Sequence, residues 1–148
     1  MQVRDGMSSV VVRIGPSHTL QEAARLMALR GVGAAVVVDP DEPGPGIITE
    51  RDMLVAVAGG LDAGAERVGD HVSPNVMCAT PSWSLEHAAE AMVGGGFRHL
   101  VVVDAGELVG VLSMRDIVRC WVTDYATSEL PREAVDSGSR EPSDPARR

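Results

Sequence analysis

Gly46-Ile47-Ile48-Thr49-Glu50-Arg51-Asp52 and Gly110-Val111-Leu112-Ser113-Met114-Arg115-Asp116 are two versions of one pattern. Each holds a glycine, two aliphatic residues, a hydroxyl, an arginine and a carboxylate in the same order. Packing alone preserves apolar positions. Hydroxyl, guanidinium and carboxylate kept at fixed offsets point instead to two sites that meet the same polar object.

The repetition extends upstream at a constant offset of 65: Val3-Arg4-Asp5 falls on Val68-Gly69-Asp70, and Pro16-Ser17 on Pro81-Ser82. Leu20, Ala23, Ala24, Met27 and Gly31 fall on Leu85, Ala88, Ala89, Met92 and Gly96, and Val36-Val37-Val38-Asp39 on Val101-Val102-Val103-Asp104. The register then slips by one residue in an acidic, Gly- or Pro-containing stretch, where a loop absorbs the insertion. Two units result, residues 1–62 and 63–124. A unit of this size buries little of its own surface, so the two are expected to share one core rather than stand as free domains.

Composition narrows the function classes. Of 148 residues, 45% are hydrophobic but only 3% aromatic, so the core must be built from Val, Ala, Leu, Ile and Met, with no aromatic platform for single-stranded nucleic acid. A net charge of −8 without a basic run opposes nucleic-acid binding. All thirteen cationic residues are arginine, which removes Schiff-base lysine chemistry and the Gly-Lys-Ser/Thr phosphate loop. An arginine-only chain rich in Ala, Gly and Val matches a GC-rich bacterial genome. Cys78 and Cys120 lack metal-ligand spacing and are expected as reduced, packed thiols. No apolar signal-peptide core or membrane-spanning run is visible, which predicts a cytoplasmic protein without membrane association.

Each unit reads as β-α-β-β-α. An extended piece, Val10–Ile14 or Val76–Thr80, leads through Pro and Ser to a cap at Ser17 or Thr19, and at Ser82 or Ser84. Apolar residues at i, i+3, i+4 and i+7 then mark a one-faced helix ended by Gly31 or by Gly94-Gly95-Gly96. A buried strand (34–38, 100–103), a second strand (46–48, 108–112) and a second helix (52–58, 116–122) complete the unit. From about Ala126 the chain turns to Pro, Ser, Glu, Asp and Arg, and residues 125–148 are expected to be disordered.

The simplest reading of Thr49-x-x-Asp52 and Ser113-x-x-Asp116 is a helix cap. Arg51 and Arg115 resist it, because a cation in the first helical turn opposes the helix dipole by roughly 0.3–1 kcal/mol. A phosphate near the same amides reverses that sign. Arg98 and His99, before the Leu100 strand, face Gly33 and Ala34 at the matching places of the first unit, so the second unit is the better phosphate holder. A carboxylate at a helix start can accept from vicinal ribose hydroxyls, and sugar with phosphate spells nucleotide.

These motifs, with Gly96-Phe97-Arg98-His99-Leu100-Val101-Val102-Val103-Asp104, resemble a tandem pair of cystathionine-β-synthase (CBS) domains, a Bateman module. The resemblance covers about residues 1–124. It implies an α+β fold of two repeats packed with pseudo-twofold symmetry through their sheets. Two clefts between them would take an adenosine ligand: AMP, ADP, ATP or S-adenosylmethionine. It implies ribose contacts from Asp52 and Asp116, and phosphate contacts from Thr49, Ser113, Arg98 and His99, with Arg51 and Arg115 beside them. Adenine would lie near Ile14 and Ala79. The first unit lacks the basic pair, and Val36 and Val101 replace a proline frequent in the family. The Asp116 cleft is therefore ranked above the Asp52 cleft. The resemblance further implies a stand-alone homodimer that regulates an unidentified protein target and requires no cofactor.

The leading functional expectation is a nucleotide-sensing regulatory module without catalysis. The alternative is a dimeric interaction scaffold with vestigial clefts. An enzyme is disfavoured because His18, His71, His87 and His99 lack an acid or nucleophile at a recognisable spacing.

Overall fold

The computed structural model describes residues 1–73 and 76–129. The elements in chain order are helix α1 (Val3–Gly6), strand β1 (Arg13–Ile14), helix α2 (Leu20–Arg30), strands β2 (Ala34–Val37) and β3 (Gly46–Thr49), and helix α3 (Glu50–Ala58). A 3₁₀ turn (Val68–Asp70) opens the second unit, followed by β4 (Cys78–Ala79), α4 (Leu85–Gly95), β5 (His99–Asp104), β6 (Glu107–Ser113) and α5 (Met114–Glu129). The fold is α+β, with two three-stranded sheets ordered β1-β2-β3 and β4-β5-β6. In each, the first pair is parallel and the second antiparallel.

Local chemistry explains the elements. Thr19 and Ser84 cap α2 and α4, each side chain accepting the amide of the residue three on. Gly31 and Gly96 end the same helices at φ 63° and 70°, a left-handed closure that only glycine adopts without cost. The apolar stripes face inward: Leu20, Ala23 and Met27 are buried in one core, and Leu85, Ala88 and Met92 in the other.

The two openings are exchanged between the units. Val3 of α1 is fully buried in the second unit's core with Leu85, Leu100, Leu112 and Ile117, and its amide donates to the Trp83 carbonyl at 2.8 Å. Val68, its counterpart, is buried in the first unit's core with Leu20, Ile48 and Ala56, and its amide donates to the His18 carbonyl at 2.8 Å. The signature glycines serve this exchange. A Cβ on Gly110 would meet the Ser8 carbonyl at 2.8 Å, and one on Gly46 would meet the Val72 side chain. Ser8 bridges Val111 through both backbone groups across that contact.

Three expectations are corrected. The single shared core is instead two buried clusters, one per unit, each completed by the opening of the other unit because each sheet packs its own helices. Helix α5 runs to Glu129, beyond the expected start of the disordered tail; residues 130–148 of that tail lie outside the described residues. The extension follows the apolar spacing Ile117, Cys120, Trp121, Tyr125. Cys78, expected to be packed, is exposed, while Cys120 is half-buried beside Gly6.

Candidate functional site

Strands β3 and β6 each end at the hydroxyl of the signature, and the next helix begins at the following residue. The capping geometry forms in both copies. Asp52 Oδ2 accepts the Thr49 amide at 2.7 Å and the Thr49 hydroxyl at 3.1 Å. Asp116 Oδ2 accepts the Ser113 amide at 2.9 Å, and the Ser113 hydroxyl accepts the Asp116 amide at 3.0 Å. Each carboxylate thus commits one oxygen to the helix start and leaves the other outside the cap.

What the second oxygen meets differs. Asp116 Oδ1 accepts Arg119 Nη2 at 2.8 Å from one helical turn on. Asp52 Oδ1 has no partner among the described residues, because Val55 stands where α5 has Arg119.

Two cavities open at these helix starts. One, about 450 Å³, is lined by Ser113, Arg115, Asp116 and Arg119, by Val10–Val12 of the first unit's opening, and by Gly31–Ala34. The other, about 690 Å³, is lined by Thr49, Arg51 and Asp52, by Val76 and Met77, and by Gly96 and Phe97. Each therefore combines one unit's signature with the other unit's extended segment, a consequence of the exchange. The signature arginines and hydroxyls all line their cavities. Ile14 and Ala79 line neither and are buried in the cores; the apolar walls come from residues a few positions earlier.

The family follows from comparison with known proteins. A model described as CBS domain matches residues 2–59 and again 68–122. The chain belongs to the CBS-domain family. It is 36% identical over 116 residues to the CBS domain-containing protein YhcV of Bacillus subtilis, a match covering 78% of this chain and 81% of YhcV. It is 31% identical over 128 residues to protein MJ1225 of Methanocaldococcus jannaschii, covering 86% of this chain but 45% of that one, so the chain spans less than half of this relative's length. Among solved structures, the CBS-domain protein ATU1752 from Agrobacterium tumefaciens matches at TM-score 0.75 and 34% identity, over 82% of this chain and 99% of that one. The CBS domain protein PAE2072 from Pyrobaculum aerophilum, complexed with AMP, matches at TM-score 0.73 and 32% identity, over 86% and 99%.

Within this CBS pair the basic residues sit differently from the expectation. Arg98 and His99, assigned to the Asp116 cleft, line both cavities. So does Glu50, which sequence reasoning missed. Its signal was visible as the acidic partner of Met114 in an otherwise matched pair of motifs, just as Arg119 was the basic partner of Val55. Burial pulls the His99 imidazole below its ordinary value, opposed by the charges of Glu50 and Asp116 and aided by Arg98. Arg51 spans the units, its Nη1 donating to the Gly96 carbonyl at 3.3 Å.

Among the described residues no helix is long and apolar enough to cross a membrane.

Proposed function

We propose that this CBS pair is a non-catalytic regulatory module whose clefts bind adenosine nucleotides. One observation carries the reading: each cleft places a carboxylate, an arginine and a helix start together, facing apolar residues of the other unit's opening segment. The Asp52 Oδ1, and the Asp116 Oδ1 once the exposed Arg119 yields it, suit ribose hydroxyls, the arginines suit phosphate, and the Val10–Val12 or Val76–Met77 wall suits adenine. The AMP complex of PAE2072 supports the same ligand class. Calorimetric titration with AMP, ADP, ATP and S-adenosylmethionine tests it. Saturable binding by at least one is expected; no binding by any, down to millimolar dissociation constants, overturns it.

The module acts as a cytoplasmic homodimer that passes its ligand state to a protein target. Helix α3 with Leu61 just beyond its end, and helix α5, expose matched apolar residues, Leu54 with Val118, Val57 with Trp121 and Leu61 with Tyr125. Pseudo-equivalent stripes of this kind fit an isologous contact with a second copy. Sedimentation of the full chain is expected to give a dimer, and a monomer at micromolar concentration opposes that part of the reading.

The alternative, an interaction scaffold with vestigial clefts, draws support from Arg119, which already occupies the Asp116 oxygen. A ligand-induced rise in melting temperature that is lost in Asp52→Asn and Asp116→Asn decides against it.

A further inference from the structure

The two cavities are not separate sites that happen to be neighbours. Gly33, Glu50, Arg98 and His99 line both, so a single wall divides them. That wall carries the basic pair present in one copy only; its pseudo-symmetric counterparts are Gly33 and Ala34.

Charge around each cavity shows what sharing does. The Asp116 cleft has three arginines, Arg98, Arg115 and Arg119, against Glu50 and Asp116. The Asp52 cleft has two, Arg51 and Arg98, against Glu50 and Asp52. If Arg98 turns to a phosphate in the Asp116 cleft, the Asp52 cleft keeps one arginine against two carboxylates. That arginine already donates to the Gly96 carbonyl.

We infer that the clefts are negatively coupled through Arg98 and His99, so that a phosphorylated adenosine compound in the Asp116 cleft weakens phosphate binding in the Asp52 cleft while leaving that cleft open to an uncharged one. The inference rests on the reading that both clefts take adenosine compounds. Two mechanisms act in the same direction. The shared Arg98 guanidinium and His99 ring serve one phosphate at a time, and two phosphates on either side of one wall repel each other. The coupling is reciprocal, because linkage requires each ligand to change the other's affinity by the same factor. A ligand without phosphate makes no claim on Arg98, and two such ligands bind independently.

The test compares AMP with adenosine by calorimetry on the full chain and on Asp116→Asn, a change that keeps an oxygen for the Ser113 amide. For AMP, the wild type binds one equivalent per chain, with a second weaker by about tenfold or more. In Asp116→Asn the remaining AMP binds at least about fivefold tighter than the wild type's second. Adenosine at the Asp52 cleft has the same affinity in both proteins. Arg115→Gln, which touches neither cap, repeats the gain at the Asp52 cleft if Asp116→Asn folds poorly. Arg98→Ala removes the gain in either background. An unchanged second AMP affinity in both variants overturns the coupling while leaving the nucleotide reading intact. Absence of binding by both AMP and adenosine overturns the reading and the coupling together.

Discussion

Val3 donates its amide to the Trp83 carbonyl at 2.8 Å, tying the start of the first repeat into the core of the second. The side chain is wholly buried there. Each cleft owes its composition to this exchange, because the extended segment that follows α1 is carried to the Asp116 side.

Val3→Ala removes two buried methyl groups from a close-packed site. A loss of about 2 kcal/mol in unfolding free energy is expected, felt by the second unit although the residue belongs to the first repeat. Urea unfolding followed by tryptophan fluorescence, with Trp83 packed against that same core and Trp121 on α5, measures it. A change below about 0.5 kcal/mol would mean that α1 contributes little to that core.

Gly110→Ala places a methyl carbon 2.8 Å from the Ser8 carbonyl oxygen, and backbone cannot swing aside as a side chain can. Destabilisation of about 1–3 kcal/mol is expected, together with faster amide exchange at Ser8 and Val111. Gly44→Ala, where an added Cβ meets nothing within 4 Å, serves as the control and should leave stability nearly unchanged.

Arg119→Ala separates stability from ligand choice. The arginine is 65% exposed, so its ion pair with Asp116 contributes at most about 1 kcal/mol. Its loss frees the Asp116 oxygen for ribose and removes a cation from the cleft. Adenosine should therefore bind tighter and ATP more weakly than in the wild type. Calorimetry in which both ligands move the same way would refute this division of roles.

His99 gives the protein a pH dependence of stated sign. Burial lowers its folded pKa beneath the ordinary 6.5, so the unfolded chain binds the proton more readily. Its contribution to stability is complete above the unfolded value and declines as pH falls through that value toward the folded one. A phosphate beside the ring favours the imidazolium, so AMP affinity should rise over the same acid range while intrinsic stability falls. His99→Gln subtracts the protonation of the phosphate itself, near pH 6. Equal pH profiles in the two proteins would remove His99 from the site.

Much of this was legible in the chain. The doubled motif, the inward stripe of Leu20, Ala23 and Met27, and the closing glycines Gly31 and Gly96 each state a local physical requirement. The exchange of openings was not. Val3-Arg4-Asp5 and Val68-Gly69-Asp70 carry nearly the same pattern, so either fits either core, and only the path of the chain selects one. The shared wall was hidden for the same reason. A linear comparison assigns Arg98 and His99 to one unit, whereas the fold sets them in the lining of both clefts. Helix α5 outran its expected end because the polar composition of the tail masked its apolar period.

The most direct test of the account is equilibrium dialysis of labelled AMP against the wild type and against the Asp52→Asn, Asp116→Asn double variant, with folding checked by circular dichroism. The carboxylate oxygens that face the clefts are the groups proposed to hold ribose, and each charged hydrogen bond contributes about 1.5–3 kcal/mol. AMP affinity at each cleft should fall by at least about tenfold in the variant, as the loss of one such bond requires. Equal retention of AMP by a folded double variant would contradict the claim that these clefts bind nucleotide through Asp52 and Asp116.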